Sequence, residues 1–264
     1  MTNDLIYVYC LTDNPLALTR NLGLRGVESL MVGDFFVIIK YVPESGFSEE
    51  NFKANISDIQ WLESNAREHV GVITSIMESS TVIPFKFGTI FQSEQSISWF
   101  MLDYAASIIE NFQHIEGKEE WAVKIYCDRK ALSEQIDELS EEAAALEKQI
   151  MASSPGKAFL LRRKKADLTV NEMDRLCKNY GQEFYDRLRN LSVATSLNNL
   201  LPTEFTGRKE TMILNAAFLV NKGNVADFLH TVDILNKRND NSGFIIEATG
   251  PWPPFSFISI KEKP

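Results

Sequence analysis

The sequence predicts an α+β chain of two domains. An N-terminal mixed α+β domain is expected over residues 1–117, and a modified ferredoxin-like domain over 118–264, with a long helical hairpin inserted at about 129–200. Three observations predict this. At 264 residues the chain is longer than one ordinary domain. Strand-dense apolar runs lie toward both ends, each followed by residues of helical period. Between them stand two stretches whose apolar residues step by fours and threes, the spacing of packed helices.

Residues 5–11 (Leu-Ile-Tyr-Val-Tyr-Cys-Leu) read as a buried first strand, ended by the turn chemistry of Asp13-Asn14-Pro15. Residues 27–32 and 35–42 form two further strands around Gly33-Asp34, a pair suited to a two-residue hairpin. Residues 43–46 read as loop, and Ser48-Glu49-Glu50 opens a helical region. Ser57-Asp58 then caps a longer helix, with Ile59, Leu62, Ala66, Val70, Ile73 and Met77 expected on its inner face. Residues 81–91 (Thr-Val-Ile-Pro-Phe-Lys-Phe-Gly-Thr-Ile-Phe) have strand density but are broken twice. Pro84 cannot donate to a ladder and belongs at an edge, a strand start or a bulge. Gly88 marks a bulge or a close backbone approach. A helix from about Ser93 turns Ile97, Phe100, Met101, Tyr104, Ile108 and Phe112 inward, and residues 115–118 are the expected domain boundary.

The second domain opens on a strand in which Trp121, Val123, Ile125 and Cys127 alternate with more polar neighbours. Two heptad seams follow. The first runs through Leu132, Ile136, Leu139, Ala143, Leu146 and Ile150; the second through Ala166, Val170, Met173, Cys177, Tyr180, Phe184, Leu188 and Leu191. The break at Ser153-Ser154-Pro155-Gly156 makes them an antiparallel hairpin. In that pairing the basic run Arg162-Arg163-Lys164-Lys165 lies opposite Glu141, Glu142 and Glu147, so cross-helix pairing is expected in preference to an anion site. A strand at 211–220, a helix with Val225, Phe228, Leu229, Val232 and Leu235 inward, and a strand at 244–249 complete a split βαβ layout. The fourth strand is expected at 205–209 or at 255–260, after the rigid corner Gly250-Pro251-Trp252-Pro253-Pro254.

The formal charge of −9 argues against a nucleic-acid partner. Residues 1–118 hold 7 Lys/Arg against 15 Asp/Glu, so the excess is N-terminal and suits either solubility or a basic partner segment. No apolar run approaches the ~20 residues that span a bilayer, and the first residues lack the basic start of a signal peptide. Cys10, Cys127 and Cys177, far apart and odd in number, suit reduced thiols in a cytoplasmic protein.

Catalytic, cofactor and metal motifs are not found. There is no phosphate-binding glycine loop or nucleophile elbow, and His69, His114 and His230 lack a partner at metal-ligand spacing. His69 is expected as a partly buried, hydrogen-bonded helix residue. Asp128 and Arg129 close the Trp121 strand, where Asp128 suits a helix cap as well as a ligand contact. Trp252 suits a binding anchor as well as packing of the proline corner.

Several segments resemble one family. Residues 82–91 resemble the Pro-x-[Arg/Lys]-Phe-Gly-Thr signature of the gas vesicle GvpL/GvpF family. Residues 250–257 resemble its Gly-Pro-Trp-Pro-Pro-Tyr-x-Phe corner, with Phe255 in place of Tyr. Residues 120–124, 156–164 and 215–220 resemble its intervening segments, whereas the first eighty residues match in pattern alone. The resemblance implies a non-enzymatic minor component of gas vesicles, cytoplasmic and vesicle-associated. It would bind the shell protein GvpA, with other accessory proteins as further partners, and assist nucleation and assembly without aggregation. It implies no catalytic residue, cofactor or metal. For partner contact the sequence favours Pro84, Phe85, Phe87 and Gly88 in the broken strand, and Trp252, Pro253 and Phe255 in the corner. Two competing readings are a small-ligand-binding or enzymatic ferredoxin-like protein and a scaffold acting through the hairpin at 129–192.

Overall fold

A computed structural model describes residues 4–14, 24, 26–238 and 243–260; Met1 to Asn3 and Pro15 of the expected first turn lie outside them. The chain divides into two compact units, residues 1–120 with 251–264, and residues 121–250. The sequence reading places residues 118–264 in the second domain. Instead the segment after Gly250 returns to the first unit, because Ile258 and Ile260 pack against that unit's core.

The first unit contains β1 (Asp4–Thr12), β2 (Val27–Val32), β3 (Phe35–Pro43), α1 (Glu44–Phe47), α2 (Glu49–Asn55), α3 (Ile59–Met77), β4 (Val82–Pro84), β5 (Ile90–Phe91), α4 (Glu94–Asp103) and α5 (Ala105–Ile115). Its sheet runs β2-β3-β1-β4, with β5 also paired to β1. Ile6, Val8 and Leu11 of β1 join Ile97, Met101 and Ile108 of α4 and α5 in one core cluster. Tyr7, Tyr9 and Cys10 join Val72, Ile73 and Ile76 of α3 in another. With helices on both faces, β1 has no solvent side, which is why it reads as an unbroken apolar run. A bulge at Tyr9 adjusts the alternation: Val8 pairs with Ile39 and Cys10 with Ile38, leaving Tyr9 as the extra residue.

Three expectations in this unit change. Residues 43–46 are read as loop, but Glu44–Phe47 form one helical turn. The helix expected from Ser93 breaks at Tyr104 into α4 and α5, although its inward residues are those expected. In α3, which Asp58 caps by accepting from the Gln60 and Trp61 N–H groups, the buried face is His69, Val72, Ile73 and Ile76, and Ile59 is 77% exposed. The inner stripe is rotated because His69 belongs to it.

The second unit continues with β6 (Lys118–Cys127), α6 (Arg129–Glu134), α7 (Ile136–Leu139), α8 (Glu141–Met151), α9 (Pro155–Arg189), β7 (Ala194–Leu197), α10 (Thr203–Thr206), β8 (Thr211–Asn221), α11 (Val225–Arg238) and β9 (Phe244–Trp252). The sheet order is β7-β8-β6-β9. Leaving the extra helices aside, the chain reads β6-α9-β7-β8-α11-β9, a β-α-β-β-α-β unit. Phe184 and Leu188 of α9 and Phe228, Val232 and Leu235 of α11 cover the Val123, Ile125, Ala216 and Phe218 face of the sheet. The missing fourth strand is Ala194–Leu197, paired antiparallel with β8. It is not 205–209, and residues 255–257 form a 3-10 turn.

The first hairpin arm is three helices, because Gln135 and Ser140 interrupt it; the Ser140 hydroxyl accepts from the Ala143 N–H to start α8. The second arm is continuous, but its seam differs from the expected one near the tip. Ala158 is buried, Leu161 and Leu168 pack against the arm opposite, and Val170 is 49% exposed. Of the basic run, Lys165 alone takes the expected cross-helix role. Its Nζ donates to Asp137 at 2.6 Å and Glu147 at 2.7 Å.

Candidate functional site: the broken strand and the proline corner

Residues 82–91 are one edge strand with a loop in it. Cys10 pairs with Pro84 and Tyr7 with Ile90, so β1 advances 3 residues while its partner advances 6. The ladder continues on both sides of the excursion, through Phe85 N to Tyr9 O at 2.9 Å and Val8 N to Thr89 O at 3.0 Å. Pro84, lacking an N–H, sits at the end of β4, where the ladder gives way to the loop. Gly88 has φ +82°, and a Cβ there would lie 2.5 Å from Cζ of Phe52. Both the left-handed backbone and the close approach require glycine.

His69 ties this loop to the sheet. Its Nε2 lies 3.0 Å from the Phe85 carbonyl, which can only accept, so Nε2 carries the proton. Its Nδ1 then accepts from the Tyr7 hydroxyl at 2.9 Å, and the same hydroxyl accepts from the Gly88 N–H at 3.1 Å. Every polar atom of this buried set is satisfied. Burial pushes the His69 pKa down, against the opposing pull of the Phe85 carbonyl, and burial pushes the Tyr7 phenol up. Phe87, Phe52, Phe47 and Trp61 continue the cluster, with ring centroids 5.6 to 6.5 Å apart.

The proline corner reaches the same histidine. The Phe255 ring centroid lies 6.3 Å from that of His69, and Phe87 lies 5.7 Å from it. Glu120 accepts from the Ser256 N–H at 3.0 Å and from its hydroxyl at 2.7 Å. Asn111 exchanges two bonds with the Ser259 backbone, at 3.0 and 3.1 Å. Burial raises the pKa of Glu120, and the two Ser256 bonds partly counter it.

The residues singled out from the sequence therefore meet in the first unit in different roles. Pro84, Phe85 and Pro253 are buried, and Phe87 and Gly88 are half-buried. Trp252 and Phe255 present 42% and 39% of their surface to solvent. Sequence reasoning did not find Tyr7, Glu120, Asn111 or Ser259. The one sequence feature that could have led to Glu120 is Ser256, a polar residue inside the apolar proline motif. Asp128 is a helix cap, accepting from Lys130 and Ala131, and Arg129 pairs with Asp174.

A cavity of ≈ 200 Å³ beside the cluster is lined by Tyr7, Tyr9, Lys40 and Glu68, among others. It is smaller than the ~300–1,000 Å³ of ordinary small-molecule sites. Its Glu68 already accepts from Tyr9 at 2.9 Å and from Lys40 at 2.5 Å. Among the described residues no group of His, Cys, Asp and Glu is placed to hold a metal, and no helix is long and apolar enough to cross a membrane.

The family model for the gas vesicle synthesis protein GvpL/GvpF matches residues 5–259. Gas vesicle protein L of a Streptomyces species is 26% identical, covering 99% of this chain and 96% of its own. Gas vesicle protein F of a Nostoc species is 24% identical over 97% and 98%. The crystal structure of GvpF from Anabaena covers 98% of this chain and all of its own at 20% identity, with a TM-score of 0.72. GvpF from Microcystis aeruginosa gives 0.68 at 19% identity, with the same coverage.

Proposed function

The chain belongs to the gas vesicle synthesis protein GvpL/GvpF family, and on that premise we propose that it binds the shell protein GvpA and assists vesicle nucleation and assembly by holding GvpA back from aggregation. It acts without bond-making chemistry, associated with the gas vesicle in the cytoplasm, with other accessory proteins as further partners.

One observation carries this reading. Trp252 and Phe255 are large apolar side chains kept at the surface on a backbone that is fixed beneath them. Pro253 and Pro254 are buried, and Glu120 and Asn111 hold the residues that follow. A backbone already held in place loses little entropy on binding, and aromatic anchors of this kind dominate association energies. A shell subunit that polymerises exposes apolar surface and strand edges before assembly, and a transient apolar cover suits that need. Phe87 and Gly88 extend the contact region; Pro84, Phe85 and Pro253 shape it from below. Co-expression of GvpA with the wild-type chain or with Trp252→Ser/Phe255→Ser tests the reading. Soluble GvpA rises with the first and falls back with the second.

A further inference from the structure

The tip of the α8–α9 hairpin has a character that neither the hairpin's own packing nor the proline corner explains. Between Glu147 and Asp167 the chain carries 6 Lys or Arg and no Asp or Glu, in a protein of net charge −9. Lys165 is engaged with Asp137 and Glu147. Arg162, Arg163 and Lys164 are exposed and form no ion pair with any described residue. At the same end of the hairpin Met151, which closes α8, and Phe159 and Leu160 of α9 are 78%, 69% and 67% exposed. The hairpin does not need these three, since its tip is closed by Leu146, Ile150 and Ala158. Arg162 and Arg163 follow Phe159 by three and four residues, so they share its face of the helix. The result is a short exposed apolar patch bordered by exposed cations.

We propose that this tip docks an acidic amphipathic helix of a partner protein, with the partner's apolar stripe on Met151, Phe159 and Leu160 and its carboxylates on Arg162, Arg163 and Lys164. Charge complementarity selects the acid, because cations on the patch's border reject a basic helix and steer an acidic one. The apolar patch selects amphipathic protein over nucleic acid, for which phosphate contacts would suffice. One apolar side chain at the end of α8 and two neighbouring ones on α9 are also a small face beside those of membrane-surface helices. A lipid or nucleic-acid polyanion would further meet the rest of a chain whose remaining residues are strongly acidic.

The test uses the full chain and a fluorescent helical peptide of about twenty residues, Leu on one face and Glu on the other. Controls are a scrambled peptide of the same composition, anionic phospholipid vesicles and single-stranded RNA. The amphipathic peptide should bind at least about tenfold more tightly than the scrambled one. Arg162→Glu/Arg163→Glu and Phe159→Ser/Leu160→Ser should each weaken it about tenfold or more, with unchanged thermal midpoints. Should either pair shift the midpoint, Lys164→Glu and Met151→Ser stand in for it. Equal binding of the two peptides, indifference to the substitutions, tighter binding of vesicles or RNA, or self-association through the tip would each overturn the proposal.

Discussion

Tyr7 and His69, 62 residues apart in the chain, share a buried hydrogen bond of 2.9 Å in which the phenol donates to Nδ1. Because Nε2 is committed to the Phe85 carbonyl and the phenol oxygen to the Gly88 N–H, a neutral imidazole fits this arrangement without an orphaned atom. A second proton on the ring would turn Nδ1 into a donor and leave the Tyr7 hydroxyl hydrogen without its acceptor.

Stability should therefore depend on pH through His69. Its pKa is pushed below the ordinary 6.5 by burial, so the unfolded chain takes up the proton more readily. The stabilisation is fully present above pH 6.5 and is lost as pH falls from there toward the lower folded value. Urea unfolding of wild type and His69→Phe across this interval checks it: the wild-type slope with pH should be steeper. His69→Ala should cost roughly 2–5 kcal/mol at neutral pH, from the cavity and the unsatisfied partners it leaves.

Gly88→Ala meets two separate penalties, the left-handed backbone at φ +82° and the Phe52 ring 2.5 Å from the new Cβ. The loss should be about 1–3 kcal/mol. Adding Phe52→Ala should remove the steric part alone, so a double-mutant cycle will show positive coupling with a residual backbone cost. Full additivity would mean that the ring moves aside freely.

The C-terminal segment is held to the first unit by side chains, so Glu120→Ala and Asn111→Ala should loosen it without unfolding the core. Amide exchange at Ser256 should accelerate in the first variant and at Ser259 in the second. Each loss is on the order of 1–2 kcal/mol. Exchange unchanged in both variants would count against the anchoring role.

In the hairpin, Lys165 bridges Asp137 and Glu147, whereas Glu141 and Glu142 do not pair with the basic run. Glu147→Lys should lower the unfolding free energy by about 1 kcal/mol, and Glu141→Lys with Glu142→Lys by less, apart from their place in the first turn of α8. Denaturation of the two variants at low and high salt separates the contributions.

The residues explain how far the sequence could be read. Strands closed on both sides, such as β1 and β8, announce themselves because both alternating sets are apolar. The stripe of α3 was misplaced by about one position because its innermost residue is polar: His69 is buried by virtue of partners at Tyr7 and Phe85, which periodicity does not register. The helix α9 shows the reverse error. Ala166 and Val170 keep a heptad going in sequence, yet near the tip the arm opposite presents Leu146 and Ile150, and Ala158, Leu161 and Leu168 meet them. The strand β7 was missed because Ala194-Thr195-Ser196-Leu197 has little apolar content of its own and is held by pairing with β8. The broken strand was legible from Pro84 and Gly88, and the proline corner from its composition. Their convergence on one histidine was not, since it depends on pairings across most of the chain.

The central claim is that this chain covers an apolar surface of the shell protein, and the direct measurement is the fraction of GvpA recovered in the soluble, low-aggregate state when the two are produced together. The wild-type chain should raise that fraction, and Trp252→Ser/Phe255→Ser, folded to the same thermal midpoint, should return it to the level of GvpA alone. A GvpA fraction unmoved by the wild-type chain, or raised equally by the variant, would contradict the account.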